Sequence, residues 1–309
     1  MHIVVTGATG LVGVPLVQAM LARGDRVTVL TRSSEHAKQR LGDVTAVTAD
    51  LETPGDWQAS LAGVDAIVHL AGEPIAGARW SARQKQKVRD SRVEGTRVLV
   101  ETLAALSPES LPKALISASG ADYYPFAHRK DGFDDDEVTE ADPPGESFLA
   151  RVCRDWEREA SAAAELGVRV TSMRTGVVLG PGGALAKMTT PFKLFVGGRI
   201  GSGDQWFSWI HLDDAIAIYL AATVDERYSG PVNMVAPETV RNRQLARDLG
   251  GVLHRPSFLP VPGFALKLAV GELSEYLLEG RRVVPKKLVE LGFVWKYPTL
   301  AKALEHVDL

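Results

Sequence analysis

Only one cysteine, Cys153, occurs among the 309 residues, which excludes an internal disulfide and a cysteine-based metal cluster and suits a reducing compartment. No apolar run approaches the ~20 residues of a membrane span. The first residues pass straight into a β-branched apolar run, without the basic-then-apolar order of a leader. The expectation is a soluble, cytoplasmic protein with no membrane partner. Excess charge is also scarce: 35 Lys and Arg stand against 38 Asp and Glu, net −3. That gives no general attraction for nucleic acid, so a small-molecule substrate is the expected partner. The seven histidines are scattered without ligand spacing, which argues against a metal site. No fixed-period repeat or low-complexity tract is present, and nothing in the sequence excludes a homodimer.

What is present is a 45% hydrophobic chain, long enough for one large α/β domain and a smaller lobe. Its organising stretch is the first thirteen residues, MHIVVTGATGLVG. His2 to Thr6 is an apolar, β-branched run suited to a buried parallel strand, and helical spacing begins at Val14. Gly7, Gly10 and Gly13 lie between them, where they let the backbone turn sharply, approach a pyrophosphate and pack helix on strand. With 29 glycines in the chain, this spacing has a chance of about 0.25 of occurring somewhere, so the strand–loop–helix context carries the reading. It is a dinucleotide site at the carboxyl end of the first strand.

Further strands are expected at Val27 to Leu30, Val44 to Thr48, Ala66 to Leu70, Lys113 to Ser117, Arg169 to Met173 and Val232 to Val235, with helical stretches between. Such alternation predicts an α/β fold, a doubly wound parallel (Rossmann) sheet, with a smaller, mostly helical C-terminal lobe. The expected division is residues 1–175 plus 210–236 for the dinucleotide-binding domain and 176–209 plus 237–309 for a discontinuous substrate lobe. The acidic stretch from His128 to Ser147 reads as a long solvated loop, either a lid or partly disordered.

The end of the second strand selects the cofactor. An acid there would bind the ribose hydroxyls of NAD; instead Thr31, Arg32, Ser33 and Ser34 follow, which favours NADP. Asp50 and Leu51 fall beside the adenine, and Leu70, Ala71 and Gly72 beside the nicotinamide ribose. Arg92 can be placed by helical phase. On a helix from Gln86 to Leu103 it projects within about 40° of the stripe formed by Val88, Gly95, Leu99 and Leu103. A buried arginine needs an anionic partner: either a carboxylate such as Glu73 or Asp90, or a ligand in the cleft. Glu73 reads equally as a helix-capping carboxylate.

These positions, with His69-Leu-Ala-Gly-Glu-Pro74, Asp90-Ser-Arg-Val-Glu-Gly-Thr96, Phe148 to Glu157, Arg174-Thr-Gly-Val-Val-Leu-Gly-Pro181, Gln205 to His211 and Phe258-Leu-Pro-Val-Pro262, resemble an extended short-chain dehydrogenase/reductase of the nucleotide-sugar epimerase type. The likeness is to its atypical members, often labelled cell-division-inhibitor-like, and runs essentially end to end. It implies NADP (NADPH) held by Gly7, Thr9, Gly10, Leu11, Val12, Gly13, Arg32, Asp50, Leu51, Leu70, Ala71, Gly72, Glu73, Ser117, Gly176 and Val177. It also implies a catalytic Ser119, where the superfamily keeps its Ser or Thr, and places Arg92 in the cleft.

Typical members also use a Tyr-x-x-x-Lys pair, the tyrosine exchanging a proton with substrate and the lysine lowering its pKa. None of the six tyrosines here has lysine four residues on. Aligning Cys153-x-x-x-Glu157 on the usual pattern puts Leu149 and Cys153 in those places; one residue earlier gives Phe148 and Val152. Cys153 then reads as a small packing residue. Tyr124 is the candidate replacement acid and Tyr123 a substrate contact, or both pack the loop, where Asp122 and Pro125 stand in place of the family's usual glycines. Trp206 and His211, in an aromatic cluster, are the candidate substrate floor, or core. The expected function is an NADP-dependent oxidoreductase or epimerase-like enzyme on a small polar, perhaps nucleotide-linked, substrate; the alternative is a non-catalytic NADP(H)-binding sensor.

Overall fold

The computed structural model describes residues 1–307 apart from 127, 130 and 131, and the backbone alone of 128, 129, 132 and 133. Its centre is a sheet of β1 (His2–Thr6), β2 (Arg26–Thr31), β3 (Thr45–Thr48), β4 (Ala66–His69), β5 (Ala114–Gly120), β6 (Arg169–Thr175) and β7 (Gly230–Met234). They lie in the order β7-β6-β5-β4-β1-β2-β3, and every neighbouring pair is parallel. Residues alternate across a strand, so each face of β1 feeds a separate core. Ile3 and Val5 pack with Leu16, Met20 and Ile218 on one side, and Val4 with Ile67, Leu99 and Leu115 on the other. Burial on both faces is why these strands read as near-continuous apolar runs.

The helices are α1 (Gly13–Ala22), α2 (Ser34–Leu41), α3 (Ala82–Ala104), α4 (Phe148–Ser161), α5 (Gly183–Lys193), α6 (Leu212–Val224), α7 (Asn242–Leu253), α8 (Gly263–Val270), α9 (Leu273–Leu278), α10 (Lys286–Glu290) and α11 (Leu300–Glu305). Ser81 and Ser147 start α3 and α4 by accepting the N–H groups of Gln84 and Ala150, both at 3.2 Å. α5, α7 and α11 close a third apolar cluster around Trp209, Leu245 and Leu300. None of the helices among the described residues is long and apolar enough to cross a membrane. Strand order reverses between β1 and β4, and in such sheets ligands occupy the crevice outside the carboxyl ends at that point.

The expected acidic loop begins at residue 128, whose side chain lies outside the described residues. From 134 onward the expectation of a solvated lid needs correction. Glu137–Val138 pairs in parallel with Arg282–Val283. The Glu140 carboxylate accepts the N–H of Asn233 at 3.0 Å and of Lys287 at 3.2 Å. The segment is thus fastened to β7 and to the start of α10.

Candidate cofactor and substrate site

The β1–α1 turn is shaped by what its glycines leave out. Gly7 has φ +68°, and a Cβ there would lie 2.7 Å from the Leu70 carbonyl; one at Gly13 would lie 2.3 Å from the Gly7 oxygen. These two glycines let β4 and α1 close on the turn. Gly10 differs: a Cβ would meet only the Gly7 oxygen, at 3.2 Å, and the residue is otherwise exposed. The N-terminus of α1 begins at Val12 with no side-chain cap, so its first N–H groups remain for an anion. A groove runs past Gly10, Leu11 and Val14 to Gly183 and Leu212. Arg40, unrecognised in the sequence, reaches from α2 to the Thr9 carbonyl at 2.9 Å. The turn therefore has the open face, uncapped amides and nearby cation that a dinucleotide pyrophosphate requires.

Arg32 follows β2 and is exposed, with no ion pair among the described residues. Ser33 caps α2 by accepting the His36 N–H at 3.3 Å. Asp50 accepts the Glu52 N–H at 3.1 Å, and Leu51 packs beside Gly95. Both therefore order the loop after β3.

His69 at the end of β4 is fully buried. Its Nδ1 lies 2.8 Å from the Thr6 hydroxyl and its Nε2 2.9 Å from that of Thr96. Thr96 donates to the Arg92 carbonyl at 2.5 Å, and Thr6 accepts the Ala71 N–H at 3.1 Å. These directions require a neutral ring protonated at Nε2. One chain of hydrogen bonds thus runs from Ala71 to the backbone of Arg92. Sequence reading passed over this histidine.

Burial, with Arg92 as a lesser cause, pushes the His69 pKa down to about 4. The unfolded ring, with an ordinary value near 6.5, binds a proton first as pH falls. Stability is therefore complete above about 6.5 and declines toward 4, by roughly 3 kcal/mol from this group. Urea unfolding across that range should show a smaller pH slope in His69→Gln; an unchanged slope would contradict the neutral buried ring.

Where β5 ends, Ser119 donates to Glu157 at 2.6 Å. Glu157 on α4 also grips Arg174, the residue before the last of β6, through two contacts of 2.9 Å. Burial alone would pull this guanidinium down, but Glu157 and then Tyr124 outweigh it and push its pKa up. Ser117 is buried and donates to the Ala118 carbonyl at 3.2 Å.

The catalytic reading of Tyr124 is corrected here. The side chain has no exposure; its hydroxyl donates to Asn233 at 2.5 Å and accepts from Arg174 at 2.8 Å. Burial pushes its pKa up despite Arg174. Tyr124 is a structural member of a buried polar network, with no free proton to offer. Tyr123 lies under the Arg174 guanidinium, 3.5 Å from the ring centroid.

At the superfamily's tyrosine and lysine positions the structure places Leu149, packed with Trp80 and Val88, and a buried Cys153. Burial, then Asp122 and Glu157, push this thiol up to about 12, so it stays protonated near neutrality. The Tyr276 hydroxyl on α9 accepts the Leu149 N–H at 3.0 Å.

Arg92 makes neither of its expected carboxylate pairs. Its Nη1 donates to the carbonyls of Glu73 and Val88, both at 3.0 Å, and its guanidinium lies 5.3 Å from the Trp156 ring centroid. Asp90 is occupied by Gln86 and Arg89. Glu73 offers its carbonyl to Arg92, and its N–H donates to Ser91 at 2.9 Å. A Cβ on Gly72 would come within 2.9 Å of the Arg92 Cζ, which explains glycine there.

The expected substrate floor is not assembled. His211 is 4% exposed, accepts the Asp213 N–H at the start of α6 and packs on Tyr297 at 3.9 Å; it is a helix cap in a core. The Trp206 ring stacks on Arg241 at 3.9 Å and donates to the Asp134 carbonyl, so it secures the acidic segment. Gly176 and Val177 follow β6, where Gly176 fits closely under the Ser208 carbonyl.

A doubly wound sheet with this glycine turn at its switch point defines a Rossmann-type dinucleotide-binding protein. A model of the NAD dependent epimerase/dehydratase family matches residues 3–234, and a domain of unknown function (DUF1731) matches 261–307. The chain belongs to the NAD dependent epimerase/dehydratase family. It is 41% identical over 308 residues to the chloroplastic epimerase family protein SDR39U1 homolog of Arabidopsis thaliana, covering 99% of this chain and 86% of that one. It is 36% identical to epimerase family protein YfhF of Bacillus subtilis, over 99% and 98% of the two chains. The crystal structure of human epimerase family protein SDR39U1 with NADPH is similar at a TM-score of 0.86 and 33% identity, over 99% of both chains.

Proposed function

We propose that the chain binds NADP(H) in the β1–α1 turn and transfers hydride between it and a small polar substrate held outside β4 and β5, in an aqueous, cytoplasmic setting. The observation that carries the cofactor choice is Arg32, an exposed cation without an ion pair at the exit of β2, where an NAD enzyme places an acid. The NADPH in the crystal structure of the human relative supports the same reading. Residues 176–209 and 237–309 serve as the substrate lobe. The bound dinucleotide supplies the hydride; the chain's residues position substrate and handle the proton. With Tyr124 occupied, that task falls to Ser119. Its own proton points to Glu157, leaving its oxygen lone pairs for a substrate hydroxyl.

NADPH deuterated at C4, incubated with the protein and a small-molecule cell extract, should pass its label to a metabolite, and Ser119→Ala should slow the transfer about tenfold, the worth of one hydrogen bond. Absence of labelled product would favour the second reading, a binding module without turnover. The specific support for that alternative is the replacement of the proton-transfer pair by Leu149 and a Cys153 thiol held near 12.

A further inference from the structure

We propose that the substrate of this site is anionic, and that a carboxylate or phosphate oxygen group on it is held between Arg92 and Arg281. The proposal rests on the oxidoreductase reading above and adds the chemical class of its substrate.

Arg281 is 6% exposed although it lies on the segment between α9 and α10. Its Nη1 donates to the carbonyls of Ala121 and Tyr124, so it clasps the loop that leaves β5. Arg92 clasps Glu73 beyond the exit of β4 in the same way. β4 and β5 are paired neighbours in the sheet, and paired strands lie about 4.8 Å apart. Two arginines from distant parts of the chain therefore reach adjacent exits on one side of the crevice. Between those exits lies Cys153: its Sγ would touch a Cβ on Gly120 at 3.4 Å, with Asp122 Oδ2 at 3.9 Å. This is where the superfamily sets its lysine.

Neither arginine forms an ion pair among the described residues, and each uses only Nη1 in hydrogen bonds there. The remaining fork of each guanidinium has the geometry that grips a carboxylate or phosphate bidentately. Arg174 provides the contrast. It is equally buried but carries Glu157 on two contacts, and its pKa is pushed up; burial pulls those of Arg92 and Arg281 down. Glu73 and Asp122 act on these two from beyond ion-pair distance, and burial shifts the Asp122 carboxyl toward its neutral form. Carbonyl oxygens satisfy hydrogen bonds without cancelling charge. A ligand that brings negative charge would complete the pocket.

The test uses the full chain, with and without saturating NADPH, at constant ionic strength. Its melting temperature is read in inorganic phosphate, in oxalate and in chloride. The expected result is a rise of at least 2 °C over chloride with phosphate or oxalate, lost in both Arg92→Met and Arg281→Met. A larger rise with phosphate marks a phosphate ester, and one with oxalate a carboxylate. If either Met variant fails to fold, Arg92→Lys or Arg281→Lys takes its place: it keeps the charge without the fork, and should show a rise less than half that of the unaltered chain. No rise in the unaltered chain, or an undiminished rise in the variants, overturns the proposal. NADPH binding is followed separately by its fluorescence. Its failure would remove the oxidoreductase reading, while the anion response of the cofactor-free protein would still decide the arginine pair.

Discussion

Arg174→Met is expected to lower the unfolding free energy by about 3–5 kcal/mol, the usual consequence of removing one partner from a buried ion pair. Arg174 is 3% exposed, and its loss leaves Glu157, on a side chain only 12% exposed, without its countercharge. It also removes the donor to the Tyr124 hydroxyl and the contact with the Glu140 carbonyl, so α4, β6, β7 and the acidic segment loosen together. The companion change Glu157→Gln removes the stranded charge. The double variant should therefore recover much of the loss, a coupling that a double-mutant cycle measures directly. Urea unfolding of the four proteins tests it. A cost under 1 kcal/mol for Arg174→Met, or purely additive losses, would contradict the role given to this pair.

Gly10→Val should abolish NADPH binding, by more than about 100-fold, while the chain stays folded. The isopropyl group would occupy the exposed face over which the pyrophosphate passes, the approach that the middle glycine of such loops permits. The fold should tolerate it because a Cβ there meets only the Gly7 oxygen at 3.2 Å, in contrast to the 2.3 Å that a Cβ on Gly13 would meet. Circular dichroism reports the fold and NADPH fluorescence the binding. A folded Gly10→Val protein that retains NADPH affinity would displace the site from this turn.

The parts of this molecule that are local in sequence were legible in it. The alternation of apolar strands and helices yields the seven sheet strands with ends displaced by a few residues, and the glycine turn lies where its flanking strand and helix require. Helical phase also placed Arg92 correctly on the inward face of α3. Its partners were not legible, because the carbonyls of Glu73 and Val88 become available only once the exit of β4 packs against that helix. Tyr124 shows the same limit more sharply. Its neighbours in sequence suggest a loop hydroxyl near Ser119, whereas its burial depends on Asn233 of β7, 109 residues away. Arg281 lay in a stretch readable only as helical, and the loop it clasps is 157 and 160 residues earlier. His211 misled because a cap and a ligand use the same imidazole, and the helix it starts decides between them.

The central claim is NADP(H) binding selected by Arg32, and calorimetric titration of NADPH and NADH into the unaltered chain and Arg32→Ala tests it most directly. The claim predicts tighter NADPH binding by about tenfold or more in the unaltered chain, since a charge-assisted hydrogen bond contributes roughly 1.5–3 kcal/mol, with most of that preference lost in Arg32→Ala and NADH affinity little changed. Equal affinities for the two cofactors, or the same preference after the arginine is removed, would contradict it.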